Sequence, residues 1–201
     1  MRIFDFLFGP PPIVPSLTRP PIVLAKTDLR IWKLPHLDEV AVACAYDREP
    51  EVAESVRLLK YGRLASMAGP LSELLDACLE ALDDLGDDIV LCPVPLYWRR
   101  RLGRGFNQSQ LLAAALGHRQ AMTVRQLLKR VRFTGTQVGR TGEERRRALT
   151  DAFRYRGKGR VPSGVILVDD IFTTGATVDA CAAALRAAGV KHVTAIALAL
   201  G

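Results

Sequence analysis

Apolar residues in this chain fall into short unbroken runs separated by longer stretches of helical period. Val40-Ala41-Val42-Ala43-Cys44-Ala45-Tyr46, Ile89-Val90-Leu91-Cys92, Val165-Ile166-Leu167-Val168 and Val193 to Leu200 are apolar almost throughout and rich in β-branched residues. Runs of this kind predict strands buried on both faces of a parallel sheet. A weaker run at 121–124 predicts one more. Between the runs, Val52, Val56 and Leu59 (with Leu58 beside them) mark a helix entered at Pro50, and Leu71, Leu74, Leu75, Cys78 and Leu82 mark another over about 65–85. Leu111, Leu112 and Ala115 mark a third over about 107–116. Val178, Cys181, Ala182, Leu185 and Ala188 mark a fourth, closed by Gly189. Strands near 40–46, 89–93, 121–124, 165–169 and 193–199 alternating with helices predict an α/β fold with a parallel sheet flanked by helices.

The first 38 residues break this rhythm. Pro10, Pro11, Pro12, Pro15, Pro20 and Pro21 preclude a continuous helix and predict an extended segment. Phe4, Phe6, Leu7 and Phe8 give it apolar groups with which to dock, locally or on a partner. The expected organisation is a proline-rich segment over 1–38 and one domain over 39–201.

Candidate chemistry concentrates where the 165–168 run ends. Asp169 and Asp170 follow it directly, and Thr173-Thr174-Gly175-Ala176-Thr177 then lead into the fourth helix. Free N–H groups at a helix N-terminus make an anion site that the helix dipole reinforces. Gly175 would let the chain approach an anion, and the threonine hydroxyls would add donors. No lysine follows the glycine, so the loop is not a Walker A loop, and no G-x-G-x-x-G occurs. Neighbouring strand residues point to opposite faces, so the two acids can serve one ligand only if the strand breaks at Asp170. The pattern suits a sugar phosphate, with its phosphate in the loop and its hydroxyls on the carboxylates.

A second unusual exit follows the 89–92 run. Pro93-Val94-Pro95-Leu96 ends it with two prolines at the edge where open α/β sheets bind ligands. Arg99, Arg100, Arg101 and Arg104 come next, then Gly105-Phe106-Asn107-Gln108. Charge runs usually form solvated faces. Here the arginines leave the same sheet edge as the acid–threonine loop, which favours an anionic partner such as a pyrophosphate.

Leu167-Val168-Asp169-Asp170-Ile171-Phe172-Thr173-Thr174-Gly175-Ala176-Thr177 resembles the phosphoribosyl-pyrophosphate motif of type I phosphoribosyltransferases. Pro93-Val94-Pro95-Leu96, Arg104-Gly105-Phe106-Asn107-Gln108, Leu111-Leu112-Ala113 and Lys60-Tyr61-Gly62 are similar to the signature of the ComF/GntX branch of that superfamily. Thr136-Gln137, Arg145 and Asp151-Ala152-Phe153 match its intervening segment, with Ala148 where the branch has Asn. The resemblance covers about residues 40–200 and implies the type I phosphoribosyltransferase fold. It also implies Mg²⁺-dependent transfer of ribosyl phosphate from phosphoribosyl pyrophosphate to an unidentified acceptor. By the same resemblance Asp169 and Asp170 fix the ribose and Thr173, Thr174, Gly175, Ala176 and Thr177 hold the 5′-phosphate. Pro93, Val94, Pro95 and Leu96, with Arg99 or Arg104, take the pyrophosphate. The glycine-dotted basic stretch 130–159 corresponds to a hood that closes over substrate. Chains of that branch typically begin with a four-cysteine zinc module, which the proline-rich segment replaces here.

Composition adjusts this picture only slightly. The 201 residues are 49% hydrophobic and 24% charged, with a formal charge of +7, which favours polyanionic ligands. ComF relatives are associated with natural transformation, so the alternative is a non-catalytic protein of competence that contacts single-stranded DNA. Its basic stretches lack the interleaved aromatics that stack on bases. Cys44, Cys78, Cys92 and Cys181 are scattered with no C-x-x-C pair, which predicts neither zinc nor disulfides. No apolar run is long enough to span a membrane, and the start of the chain does not read as a signal peptide, so a cytoplasmic location is expected.

Overall fold

Four of the five predicted runs become strands of one sheet. A computed structural model describes residues 19–61, 64–82, 86–96, 105–132, 149 and 152–201. The strands are β1 (Ile22–Leu24), β2 (Glu39–Ala45), β3 (Ile89–Pro93), β4 (Leu128–Arg130), β5 (Phe153–Tyr155), β6 (Gly164–Phe172) and β7 (His192–Leu200). The helices are α1 (Lys26–Ile31), α2 (Pro50–Tyr61), α3 (Ala68–Glu80), α4 (Gln108–Arg119) and α5 (Ala176–Ala187). The main sheet has the order β1-β2-β7-β6-β3, in which β2, β7, β6 and β3 run parallel and β1 is an antiparallel edge. This mostly parallel α/β sheet between helices is consistent with the type I phosphoribosyltransferase fold expected above.

Strand alternation sorts the core into two layers. Val40 and Val42 of β2 with Val165 and Leu167 of β6 join α5, Leu29, Leu34 and Leu37 on one face. Ala41 and Ala43 with Ile166 and Val168 join α2, α3 and α4 on the other. All four cysteines are free and buried within these layers. Burial raises the thiols of Cys44 and Cys92 to about 11 and of Cys78 to about 12, so they pack as small apolar groups.

Three expectations shift. The run at 121–124 is not a strand: Ala121 has a positive φ of 50°, and only Val124 forms a single parallel bridge, to Leu91 at the sheet edge. Strand β6 does not end at the acids but continues to Phe172, held by β7 through the pairs Asp169–Ala197 and Ile171–Ala199. The described part of the proline-rich segment, expected to stand apart from the domain over 39–201, is part of its fold. Pro20 and Pro21 precede β1, which pairs with β2, while Leu29, Leu34 and Leu37 are buried. Three-residue strands β4 and β5 form a separate antiparallel ribbon, β5 inside the stretch read as a hood and β4 ending at its first residue.

Candidate functional site

Helix α4, which follows β3, packs on one face of the sheet, while α5, which follows β6, packs on the other. Adjacent parallel strands whose connections leave to opposite faces open a crevice at their carboxyl ends, the place where open α/β sheets take ligands. The two motifs meet at this crevice: Val94 N–H donates to the Val168 carbonyl at 3.0 Å. Pro93 and Val94 are buried while Pro95 and Leu96 are half-buried, and Asn107 Nδ2 donates to the Val94 carbonyl at 3.0 Å. The proline exit is thus tied to both β6 and the start of α4. A cavity of about 140 Å³ beside it is lined by Pro93, Pro95, Leu96, Asn107, Lys129 and Arg156 among others. Arg99, Arg100, Arg101 and Arg104 lie outside the described residues, as do Thr136, Gln137, Arg145, Ala148 and Asp151.

The two acids keep different company. Asp169 Oδ1 accepts from Ser109 Oγ at 2.9 Å and from the Asp170 backbone N–H at 3.0 Å. Burial first, and the neighbouring Asp170 charge second, push its carboxyl up from 3.8 to about 7, against the lowering pull of Ser109, the Asp170 N–H and Lys60. Asp170 instead meets Lys60 Nζ at 3.0 Å, with both side chains largely enclosed. Lys60 stands near the end of α2 and Ser109 in the first turn of α4, so both helices of one layer reach the acids. Although β6 runs on through both acids, Ser109 and Lys60 from helices of one layer contact one acid each, so the strand break expected from the sequence is not what brings the acids together.

The threonine loop turns at Gly175, whose φ of +68° is the left-handed region and which is the N-cap of α5. Gly175 has no side chain with which to cap that first turn. Thr173 is exposed, Thr174 and Thr177 are half-buried, and Ala176 is buried. Glycine is demanded here by packing as well as by φ. A Cβ would lie 2.7 Å from Phe172 Cζ and closer still to Leu34 Cδ1.

Leu34 belongs to a brace that the sequence did not reveal. Trp32 packs on Phe172 with ring centroids 5.8 Å apart. His36 meets the Asp179 carboxylate twice, through its backbone N–H and through Nδ1, each at 3.0 Å. Asp38 accepts from Arg186 Nη2 at 2.6 Å and from the Val193 N–H at 2.9 Å. Asp179 lies in the first turn of α5 and Arg186 in its last, so residues 32–38 hold that helix at both ends. These contacts join residues about 140–155 apart in sequence and leave no local periodicity to read. Ser109 and Lys60 did carry a signal, since both sit in or beside the quoted motifs, although their pairing with the acids did not.

What the site can do follows from these groups. Two carboxylates, one holding its proton near neutrality, can accept from vicinal hydroxyls. The uncapped turn of α5 can accept an oxyanion. Among the described residues no cluster of three His, Cys, Asp or Glu side chains could hold a metal. A bare pair of carboxylates is too few for a dedicated cage but fits an Mg²⁺ bound mainly through substrate oxygens. No helix among the described residues is long and apolar enough to cross a membrane.

No protein-family model matches the chain. It is 38% identical over 106 residues to Competence protein F of Haemophilus influenzae, covering 51% of this chain and 46% of that one. It is 37% identical over 142 residues to DNA utilization protein YhgH of Escherichia coli strain K12, covering 66% of this chain and 60% of that protein. Competence protein ComFC of Streptococcus pneumoniae is 30% identical over 105 residues, covering 52% and 45%. The chain therefore spans between about half and three fifths of the length of these relatives.

Proposed function

We infer that this chain is a member of the ComF family and that its acid–threonine edge binds phosphoribosyl pyrophosphate with Mg²⁺ and transfers the ribosyl phosphate to an acceptor. The observation that carries the reading is the continuity of β6, Asp169, Asp170, the threonine loop and the uncapped start of α5 at the crevice beside Pro93–Leu96. The 5′-phosphate takes the N–H groups of the first turn of α5 and the hydroxyls of Thr173, Thr174 and Thr177. Asp169 and Asp170 take the ribose hydroxyls, Ser109 orienting the first and Lys60 the second. The pyrophosphate lies against Pro93, Val94, Pro95 and Leu96, where Lys129 and Arg156 border the cavity. Asp169 and Asp170 would hold the Mg²⁺ together with the substrate, and the ion would neutralise charge on the leaving pyrophosphate. Catalysis on this reading is electrostatic placement, with no side chain taking a proton from the ribose.

The names of the relatives favour a cellular setting in competence or DNA utilization, in which the ribosyl acceptor or a partner is a nucleic acid. That setting accommodates an enzyme or a protein that retains the site only for binding.

Calorimetry separates them from a merely structural acid pair. Phosphoribosyl pyrophosphate should bind in the presence of Mg²⁺, and Asp170→Asn should weaken that binding at least tenfold. Asn still offers an oxygen to Lys60, so the variant should remain folded, and inorganic phosphate should bind it as before. Equal Mg²⁺-dependent affinity in the two proteins would overturn the assignment.

A further inference from the structure

The two-stranded ribbon β4–β5 is an unusual piece of surface. Residues 125–132 hold four lysines and arginines and residues 152–160 four more, with no aspartate or glutamate in either segment. In the ladder, Lys129 stands directly opposite Arg154, and both are exposed. Like charges facing each other across an antiparallel pair destabilise it. The opposite face of the ribbon is ordinary core, with Leu128 and Phe153 buried and the Arg130 guanidinium 5.4 Å over the Phe153 ring. The inner face therefore holds the ribbon in place while the outer face works against it.

The charges continue as a row. Arg154, Arg156 and Lys158 are exposed while Tyr155 and Gly157 between them are half-buried. In extended chain, alternate residues lie about 6.6 Å apart on one side. The stretch beyond β5 is pinned in this form. Arg156 N–H donates to the Leu127 carbonyl at 2.7 Å, while Arg125 donates from Nη2 to the Lys158 carbonyl at 2.9 Å and from Nη1 to the Arg160 carbonyl at 3.1 Å. One arginine is thus used to fix the backbone that carries the others. At Arg156, its middle member, the row borders the cavity beside Pro95 and Leu96, which Lys129 also lines. A second, open hollow between Arg125, Lys129, Arg156 and Lys158 continues it outward.

We infer that the outer face of β4–β5 and the strip to Lys158 are a track for the phosphodiester backbone of single-stranded nucleic acid, leading to the crevice of the candidate site. A single narrow row of cations at strand spacing matches one chain of phosphates rather than two chains separated by a groove. Among the described residues, the exposed large apolar side chains are Val23, Ile31, Tyr61 and Val131, so the ribbon presents no exposed aromatic ring to stack on bases. Binding is consequently set by phosphates, insensitive to sequence and steep in salt. The track accounts for the repulsion between Lys129 and Arg154, because an anion laid across both removes it. The inference is independent of whether the acid edge turns over phosphoribosyl pyrophosphate.

The test is fluorescence anisotropy of a labelled 20-nucleotide oligothymidylate with the full chain, titrated across salt, for the parent and for Arg154→Gln/Lys158→Gln. The double variant should bind at least tenfold more weakly at low salt, and its log–log salt slope should be shallower by about 1.4, or 0.7 per lost contact. Its melting temperature should equal or exceed the parent's, since repulsion has been removed from an exposed face. Unchanged affinity and slope would overturn the track. So would equal or tighter binding of a 20-base-pair duplex, or loss of binding to phosphatidylglycerol vesicles with oligonucleotide binding intact. Calorimetry of Mg²⁺ and phosphoribosyl pyrophosphate on the same two proteins reads the other proposal separately. Parent protein that ignores that ligand yet holds the oligonucleotide would sink the enzyme reading alone.

Discussion

Within the carboxyl-terminal half of β6 two carboxylates adjoin each other in sequence, and on the ribbon Lys129 faces Arg154 across the ladder. Both places crowd like charges, and they deal with them in opposite ways. Around the acids, the protein supplies the compensation itself: Ser109 and a backbone N–H on Asp169, and Lys60 on Asp170. Asp169 remains partly uncompensated and answers by holding its proton toward neutral pH. On the ribbon neither segment contains an acid, and solvent screening must suffice until an anion arrives. An enclosed site has to be built almost complete, because an unpaired charge out of water is costly. An exposed strip can remain incomplete at modest cost. The first region should therefore be sensitive to substitution in its frame, and the second insensitive in stability but sensitive in salt dependence.

The largest effect should come from the frame of the acid edge. Gly175→Ala places a Cβ against Phe172 and Leu34 at a φ of +68°. The left-handed conformation and the overpacking together should cost about 2–4 kcal/mol. For a chain of this size, thermal unfolding should show a melting temperature lower by roughly 5–15 °C. Below that transition, phosphate binding at the loop should weaken while the oligonucleotide salt slope stays as in the parent. A slope that moves with this substitution would show the two regions to be mechanically coupled.

Much of this contrast lies on different levels of legibility. The parallel core was readable because unbroken apolar runs have few alternatives: β2, β3, β6 and β7 fall within one to three residues of their expected bounds. The acids and the threonine loop were readable because their residue types are uncommon together. Two features competed with the pattern and won. Pairing with β7 carried β6 past the acids, and burial of Leu34 against Gly175 drew residues 32–38 into the fold despite the prolines upstream. The run at 121–124 lacked a partner strand for more than one bridge. The ribbon was hidden for another reason. Lys129 and Arg154 are 25 residues apart, and only the register makes them neighbours.

A middle-sized effect concerns pH, and it should run in opposite directions for stability and for binding. Asp169 titrates near 3.8 when unfolded and at about 7 in the fold, so between these values the native state holds more of the proton. Its contribution to stability is complete below about pH 4, is lost as pH rises toward 7, and is flat beyond. With partial solvent access the loss should be on the order of 1–2 kcal/mol, and Asp169→Asn should flatten this part of the profile. Binding that requires the ionised carboxylate should instead tighten from pH 6 to pH 8. Denaturant unfolding and calorimetry across pH check both halves. A parent profile that matches Asp169→Asn would mean that the acid titrates normally and the enclosed region is no costlier than the exposed one.

The smallest effect is the one the comparison most depends on. If Lys129 and Arg154 repel each other across the ladder, removing either should stabilise the protein slightly, and removing the second should add nothing further. A cycle of Lys129→Gln, Arg154→Gln and the double variant isolates that term, because the two residues stand opposite each other in the register. The coupling should be unfavourable to the parent by about 0.2–1 kcal/mol at low salt. Raising salt to about 1 M shortens the screening distance to roughly 3 Å, so the coupling should vanish. Adding oligothymidylate at low salt should also remove it, since the phosphate between the two cations replaces the screening. Salt would abolish any exposed electrostatic coupling, whereas the oligonucleotide abolishes only one it occupies. A repulsion that survives saturating oligonucleotide would place the nucleic acid elsewhere on the chain, and the ribbon would be no more than a solvated basic face.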